Sequence, residues 1–168
     1  MPRYGPSQCI RTHTRKYPAV PRGATQTVWG YAGSVARYVV DARTLLHIID
    51  NKLDVHPSHQ LVAPNSVRSE ALQLLLQEVR SGKRSEDAAL KAHERITEMK
   101  IRLLGDRVSR GRAWRLAREH DWDTLHDAEY LAITQLQADA LVTVDRRLAA
   151  AAREVVAVAA VESLFTAG

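Results

Sequence analysis

Four carboxylates stand at positions that call for an explanation: Asp41 in "RYVVDA", Glu70 in "NSVRSEAL", Asp127 in "LHDAEYLA" and Asp145 in "ADALVTVDRR". Asp41 and Asp145 each follow a short branched apolar run and precede a helical pattern, and Asp is also among the best residues for capping such a helix. Asp127 lies three residues after Thr124, the spacing of a capping box. Glu70 is different. On a helix it shares the stripe of Val67 and Leu74, where a carboxylate is costly unless it is hydrogen-bonded, metal-bound, or paired with a cation such as Arg68 or Arg43. Each acid taken singly has an ordinary structural role. Taken together, three acids at strand ends or helix starts and one on an inward helical face meet at one place in an open parallel sheet, the crevice outside the carboxyl ends of the strands. Four carboxylates brought close repel one another and are driven toward protonation, which a hard divalent cation relieves. Magnesium takes oxygen ligands, accepts few protein carboxylates directly and keeps waters that further acids can hold. Such a site suits phosphoryl chemistry.

The elements that must position these acids follow from the hydrophobic patterning. "RYVVDA" predicts a strand ended by Asp41, and "RTLLHIID" places Leu45, Leu46, Ile48 and Ile49 at helical spacing. "HQLVAP" predicts a second strand. A helix follows through "NSVRSEALQLLLQEVRSG", opened at Asn65 or Ser66 and stopped by Gly82. A third helix is expected from Ser85, with Ala89, Ala92, Ile96, Met99 and Leu103 on one stripe, ending at Gly105. "SRGRAWRLAREH" predicts a fourth helix, Thr124 to Leu136 a fifth, "ALVTV" a strand, "RRLAAAARE" a helix and "VVAVAAV" a last strand. Strands alternating with helices imply an α/β fold, three-layer α/β/α with a central, mainly parallel sheet.

The composition bounds the function classes. The chain has 168 residues, about one domain, with a single cysteine, Cys9, that has no partner for a disulfide or a cysteine-based zinc site and suits a reducing cytoplasm. No apolar run approaches the ~18 residues of a membrane span, and the N-terminus carries no apolar signal core, so a cytoplasmic protein with no membrane partner is expected. The net charge of +5 is local, because Arg3, Arg11, Arg15, Lys16, Arg22 and Arg37 all precede the first acid, Asp41. Residues 1–36 are proline-rich and aperiodic and are expected to form a disordered basic arm. The alternative is a start assigned too early, with Val28 or Val35 as the true first residue. Residues 37–168 then form the domain.

From about Arg37 to Phe165 the segments "YVVDA", "VAPNSVRSEAL", "LHDAEYLAIT" and "LVTVDRRL" resemble, in order and spacing, the PIN-domain ribonucleases and more closely the VapC-type toxins of toxin–antitoxin pairs. The resemblance implies a metal-dependent endoribonuclease in which Asp41, Glu70, Asp127 and Asp145 hold one or two Mg2+ or Mn2+ ions. Asp41, Asp127 and Asp145 would be direct or water-mediated ligands, and Glu70 would orient the attacking water or hold a second ion. Two such ions stand about 3.5–4 Å apart, one activating water and one stabilising the leaving oxygen. Thr143 matches a hydroxyl that binds a metal-held water. The implied partners are an RNA substrate and a cognate antitoxin protein, met by the third and fourth helices, and a homodimer is common in the family. One departure stands out: Arg43 occupies a position that usually carries a small polar residue. It can contact the scissile phosphate or fill the metal pocket, and Thr44, one residue on, can supply the missing hydroxyl.

Arg110, Arg112 and Arg115, flanked by Arg107, Arg118 and Trp114, read either as an RNA-binding face with a stacking indole or as a solvated helix face anchored by one tryptophan. Trp122 and Tyr130 read as packing residues, and His56 and His59 do not make a zinc site by themselves. The rival to the nuclease is a catalytically silent PIN-fold domain that binds RNA or a partner protein, with an Arg43 ion pair filling the metal space. An aspartyl-phosphate enzyme is disfavoured, because its pattern needs a second Asp where Arg43 stands.

Overall fold

A computed structural model describes residues 35–166, so the expectation of a disordered arm falls almost entirely outside the described residues. The elements are β1 (Ala36–Val40), α1 (Ala42–Asp50), β2 (His59–Pro64), α2 (Val67–Arg80), α3 (Glu86–Glu98), β3 (Ile101–Leu104), α4 (Arg107–Glu119), α5 (His126–Gln137), β4 (Ala140–Val142), α6 (Arg146–Ala152) and β5 (Val158–Ala159). A 3-10 turn, Val161–Leu164, follows β5.

All strand pairings are parallel and the order across the sheet is β3-β2-β1-β4-β5. The path runs outward from β1 through β2 to β3, returns across the sheet to β4 on the other side of β1, and continues outward to β5. Right-handed crossovers therefore put α1, α2 and α3 on one face and α4, α5 and α6 on the other. The contacts agree: α1, α2 and α3 pack on one another, and α4 packs on α5. The expected three-layer α/β/α architecture is the observed one. The direction of winding reverses between β1 and β4, the point where an open α/β sheet leaves a crevice. Val39, Val40, Val62, Leu141 and Val142 are completely buried, so the central strands read as continuous apolar runs, as strands covered on both faces must.

Several boundaries differ from the sequence reading: the strand expected over "ALVTV" ends at Val142, leaving Thr143 and Val144 in the loop to α6, and the fourth helix starts two residues early, at Arg107, capped by Asp106. The stripe carrying Met99 and Leu103 is not helical: α3 stops at Glu98, Met99 is extended (φ −61°, ψ 134°), and Leu103 lies in β3. Four apolar-rich residues after a helix fit either period, and only pairing with β2 decides. The fifth helix begins at His126 rather than Thr124, with Leu125 at the cap position making no side-chain bond. The last strand is two residues long, because Val161–Leu164 turns into the 3-10 segment. Gly82 ends α2 as expected. Its φ of +72° is a left-handed conformation that glycine adopts without a Cβ penalty. No helix among the described residues is long and apolar enough to cross a membrane.

Candidate functional site

The four acids come from four different elements and line one cavity of about 420 Å3 at the carboxyl ends of the strands. Asp41 follows β1 and Asp145 follows β4, so these two flank the winding reversal. Glu70 projects from the first turn of α2 and Asp127 from the first turn of α5.

Asp41 and Asp145 both cap helices as the sequence suggests and both line the cavity, and each carboxylate uses its oxygens separately. Asp145 Oδ1 caps α6 by accepting from the amides of Arg147 (2.8 Å) and Leu148 (3.3 Å), and its Oδ2 turns to Arg43 Nε at 3.2 Å. Asp41 Oδ1 caps α1 through the Thr44 amide at 3.0 Å and also accepts from the Thr44 hydroxyl. Its Oδ2 accepts from Thr143 Oγ1 at 3.0 Å. Asp41 is only 5% exposed. Burial raises its pKa above the usual carboxylate range, against the opposing hydrogen bonds of Thr44 and Thr143, and the charge of Asp145 adds to the rise.

Glu70 points inward as expected, but neither Arg68 nor Arg43 pairs with it. Arg68 donates to the Thr97 carbonyl at 3.1 Å. Glu70 Oε2 accepts from Tyr130 Oη at 2.5 Å and faces His126 Nε2 at 3.3 Å. Tyr130 is thus more than packing: 1% exposed, it reaches the cavity from beneath with its hydroxyl. Burial, followed by the charge and the hydrogen bond of Glu70, holds that phenol protonated far above its ordinary range. The capping-box role for Asp127 does not appear, since Thr124 lies outside the helix. Instead Arg147 grips Asp127 with two bonds, Nη1 to Oδ2 at 2.6 Å and Nη2 to Oδ1 at 3.3 Å.

Thr143 lies between two acids, donating to Asp41 and accepting from the Asp145 amide at 3.0 Å. Thr44 is fully buried; its hydroxyl donates to Asp41 and accepts from the Val144 amide at 3.1 Å. Arg43 and Arg147 both line the cavity with exposed side chains, 58% and 72% accessible, so they lie on the rim and do not fill the space.

The sequence reading missed His126, Tyr130 and Arg147. For Tyr130 and His126 a signal existed, since positions 126 and 130 are one turn apart on the helix that carries Asp127. Arg147 gave none, because its exposed side chain returns to a residue 20 positions earlier. The basic residues of α4 separate into two kinds. Arg112 is committed internally, to Gln135 Oε1 at 2.7 Å and Glu119 at 3.6 Å. Arg110 and Arg115 are exposed, as is Trp114 at 58%.

The four acids offer oxygen ligands, the kind a hard divalent cation takes, and His126 adds one imidazole nitrogen beside Glu70. Among the described residues no three His, Cys, Asp or Glu side chains stand close enough to form a ready-made chelate. An ion here would take one or two carboxylates directly and reach the others through water, the way Mg2+ binds few protein ligands.

The chain matches no protein-family model and no curated protein. Among solved structures it is similar to PAE2754 from Pyrobaculum aerophilum, 26% identical over 80% of this chain and 96% of that one, with a TM-score of 0.63. It is also similar to VapBC-1 from nontypeable Haemophilus influenzae, 14% identical over 75% of this chain and 98% of that one, with a TM-score of 0.53. The chain has the PIN-domain fold.

Proposed function

We propose that this PIN-fold chain is a metal-dependent endoribonuclease and the toxin component of a toxin–antitoxin pair. The observation that carries this reading is the convergence of Asp41, Glu70, Asp127 and Asp145, from four separate elements, on one cavity at the switch point of the sheet. The fold shared with VapBC-1 and the sequence resemblance to VapC-type toxins support it.

Asp41, Asp127 and Asp145 would hold Mg2+ or Mn2+, which when bound supplies Lewis-acid polarisation of phosphate oxygens and a more acidic water. Thr143 and Thr44 fix the Asp41 carboxylate, so its lone pairs are aimed before any ligand arrives. Glu70, held by Tyr130 and His126, orients the attacking water and accepts its proton. Arg43 and Arg147, on the rim, bind non-bridging oxygens of the scissile phosphate bidentately. Arg115 extends the positive surface along α4 for flanking phosphates, where Trp114 offers a stacking face. Leu90 on α3 and Val108 on α4 are exposed apolar residues on the helices assigned to the antitoxin. A homodimer completes the proposed assembly.

One observation favours the silent-binder reading: Arg43 does pair with Asp145. The test is cleavage of total RNA with Mg2+ or Mn2+, with EDTA, and by Asp145→Asn. Discrete fragments that need metal and vanish in the variant support the nuclease; intact RNA throughout, with a co-purified antitoxin excluded, supports the silent domain.

A further inference from the structure

A second crevice, of about 90 Å3, opens at the carboxyl ends of β2 and β3. Its walls are apolar: Pro64, Leu104 and Ile133. Its polar groups are Ser109 and Arg110 from α4, Glu129 from α5 and the Asn65–Ser66 turn that leads into α2. At this size, well below the ~300–1,000 Å3 of a small-molecule site, it takes the hydrogen-bonding edge of one base and not a whole nucleotide.

Two features make the crevice receptive. Among the described residues, neither Arg110 nor Glu129 belongs to an ion pair, although both line the same small space. Gly105 keeps the crevice open beside Asn65: a Cβ at Gly105 would fall 2.6 Å from Asn65 Nδ2. The Asn65 amide has no side-chain partner among the described residues, and Ser66 Oγ holds Glu129 Oε2 only loosely, at 3.4 Å.

The crevice also stands in line with the acid cavity. Ser66 lines the crevice and Glu70 the cavity, and they are linked by one helical turn, with the Glu70 amide bonded to the Ser66 carbonyl at 3.0 Å. Four residues of helix advance about 6 Å, one nucleotide along a bound strand. On α5 the adjacent residues Glu129 and Tyr130 serve the crevice and the cavity in turn.

We infer that this crevice is a nucleobase subsite that selects guanine next to the scissile phosphate. A guanidinium donates a pair of hydrogen bonds and a carboxylate only accepts. Guanine is the base that offers both complements, the acceptors O6 and N7 for Arg110 and the donors N1–H and N2–H2 for Glu129. Adenine and cytosine present an amino group beside a ring acceptor, and uracil presents a single N–H. The inference deepens the ribonuclease reading and rests on it for the position of the phosphate.

The test is equilibrium binding, by fluorescence anisotropy in EDTA, of labelled oligouridylates carrying one central guanosine, inosine, adenosine or cytidine. The full chain and its Glu129→Gln and Arg110→Gln variants are compared, with melting temperatures confirming that the variants fold. Guanosine is expected to bind about tenfold tighter than adenosine or cytidine, inosine in between because it lacks the N2 amine, and both variants are expected to lose the preference. Equal affinity for all four oligonucleotides, or an unchanged preference in both variants, overturns the subsite. The nuclease reading fails separately: a guanosine preference in binding, without metal-dependent cleavage of the same oligonucleotides, leaves the subsite standing and removes the hydrolysis.

Discussion

Thr143 Oγ1 donates to Asp41 Oδ2 at 3.0 Å, joining the end of β4 to the end of β1 across a separation of 102 residues. Through it the Asp41 carboxylate is tied to the strand that delivers Asp145, so the two acids at the winding reversal are positioned as a unit.

Asp41→Asn and Asp145→Asn are expected to lower metal-dependent RNA cleavage by about 100-fold or more, since a metal's share of transition-state stabilisation is several kcal/mol and ~1.4 kcal/mol is tenfold. Folding should survive in both, because Asn caps helices about as well as Asp. Cleavage rates with saturating Mn2+ check the first statement and circular dichroism the second.

The raised pKa of Asp41 carries a definite sign. Its folded-state pKa lies above the unfolded value near 3.8, so its contribution to stability is intact below that value and is lost as the pH rises through the folded pKa. In EDTA at pH 7, Asp41→Asn is therefore expected to melt at a higher temperature than the wild type, and the gain should shrink toward pH 4. Thermal melts across that range decide it; a variant that melts lower at pH 7 would show that the Thr44 and Thr143 bonds outweigh burial.

Tyr130→Phe removes one hydroxyl and keeps the ring. Glu70 is then held by His126 alone, and cleavage should fall about tenfold with a stability change of about 1 kcal/mol. Thr44→Val should lower both stability and cleavage. It conserves volume but strips a buried hydroxyl that serves both Asp41 and Val144, costing about 1–3 kcal/mol, read as a drop of a few degrees in melting temperature.

Arg147→Met releases Asp127 from its bidentate pair. Calorimetry should find tighter Mn2+ binding than in the wild type. Unchanged affinity would mean that Asp127 does not contribute to ion binding.

Arg115→Ala tests the phosphate track on α4. RNA affinity should weaken alike for all sequences, and the slope of log affinity against log salt should become shallower by about one.

Much of this was legible in the sequence, for identifiable reasons. Asp41 and Asp145 were found because a strand's period changes to a helix's at those residues, and Glu70 because an acid interrupts an apolar stripe. The strand β3 was hidden, since Ile101–Leu104 continues the stripe of α3 and is distinguished only by its partner Leu61–Pro64. The cradle of Glu70 was half visible: the spacing of His126, Asp127 and Tyr130 was in plain sight, but nothing local says that α5 faces α2. The grip of Arg147 on Asp127 is a contact between exposed side chains on different helices, and no periodicity encodes it.

The strand order also sets a schedule for synthesis. β1 occupies the middle of the sheet, but its neighbour β4 is made about a hundred residues later. A chain extended only through β3 possesses Asp41 and Glu70 but neither Asp127 nor Asp145. Long-range pairing of this kind also closes slowly. A nascent chain therefore lacks half of the acid cavity until α5 and β4 have been made, and the four carboxylates come together only once Asp145 has followed β4 onto the sheet.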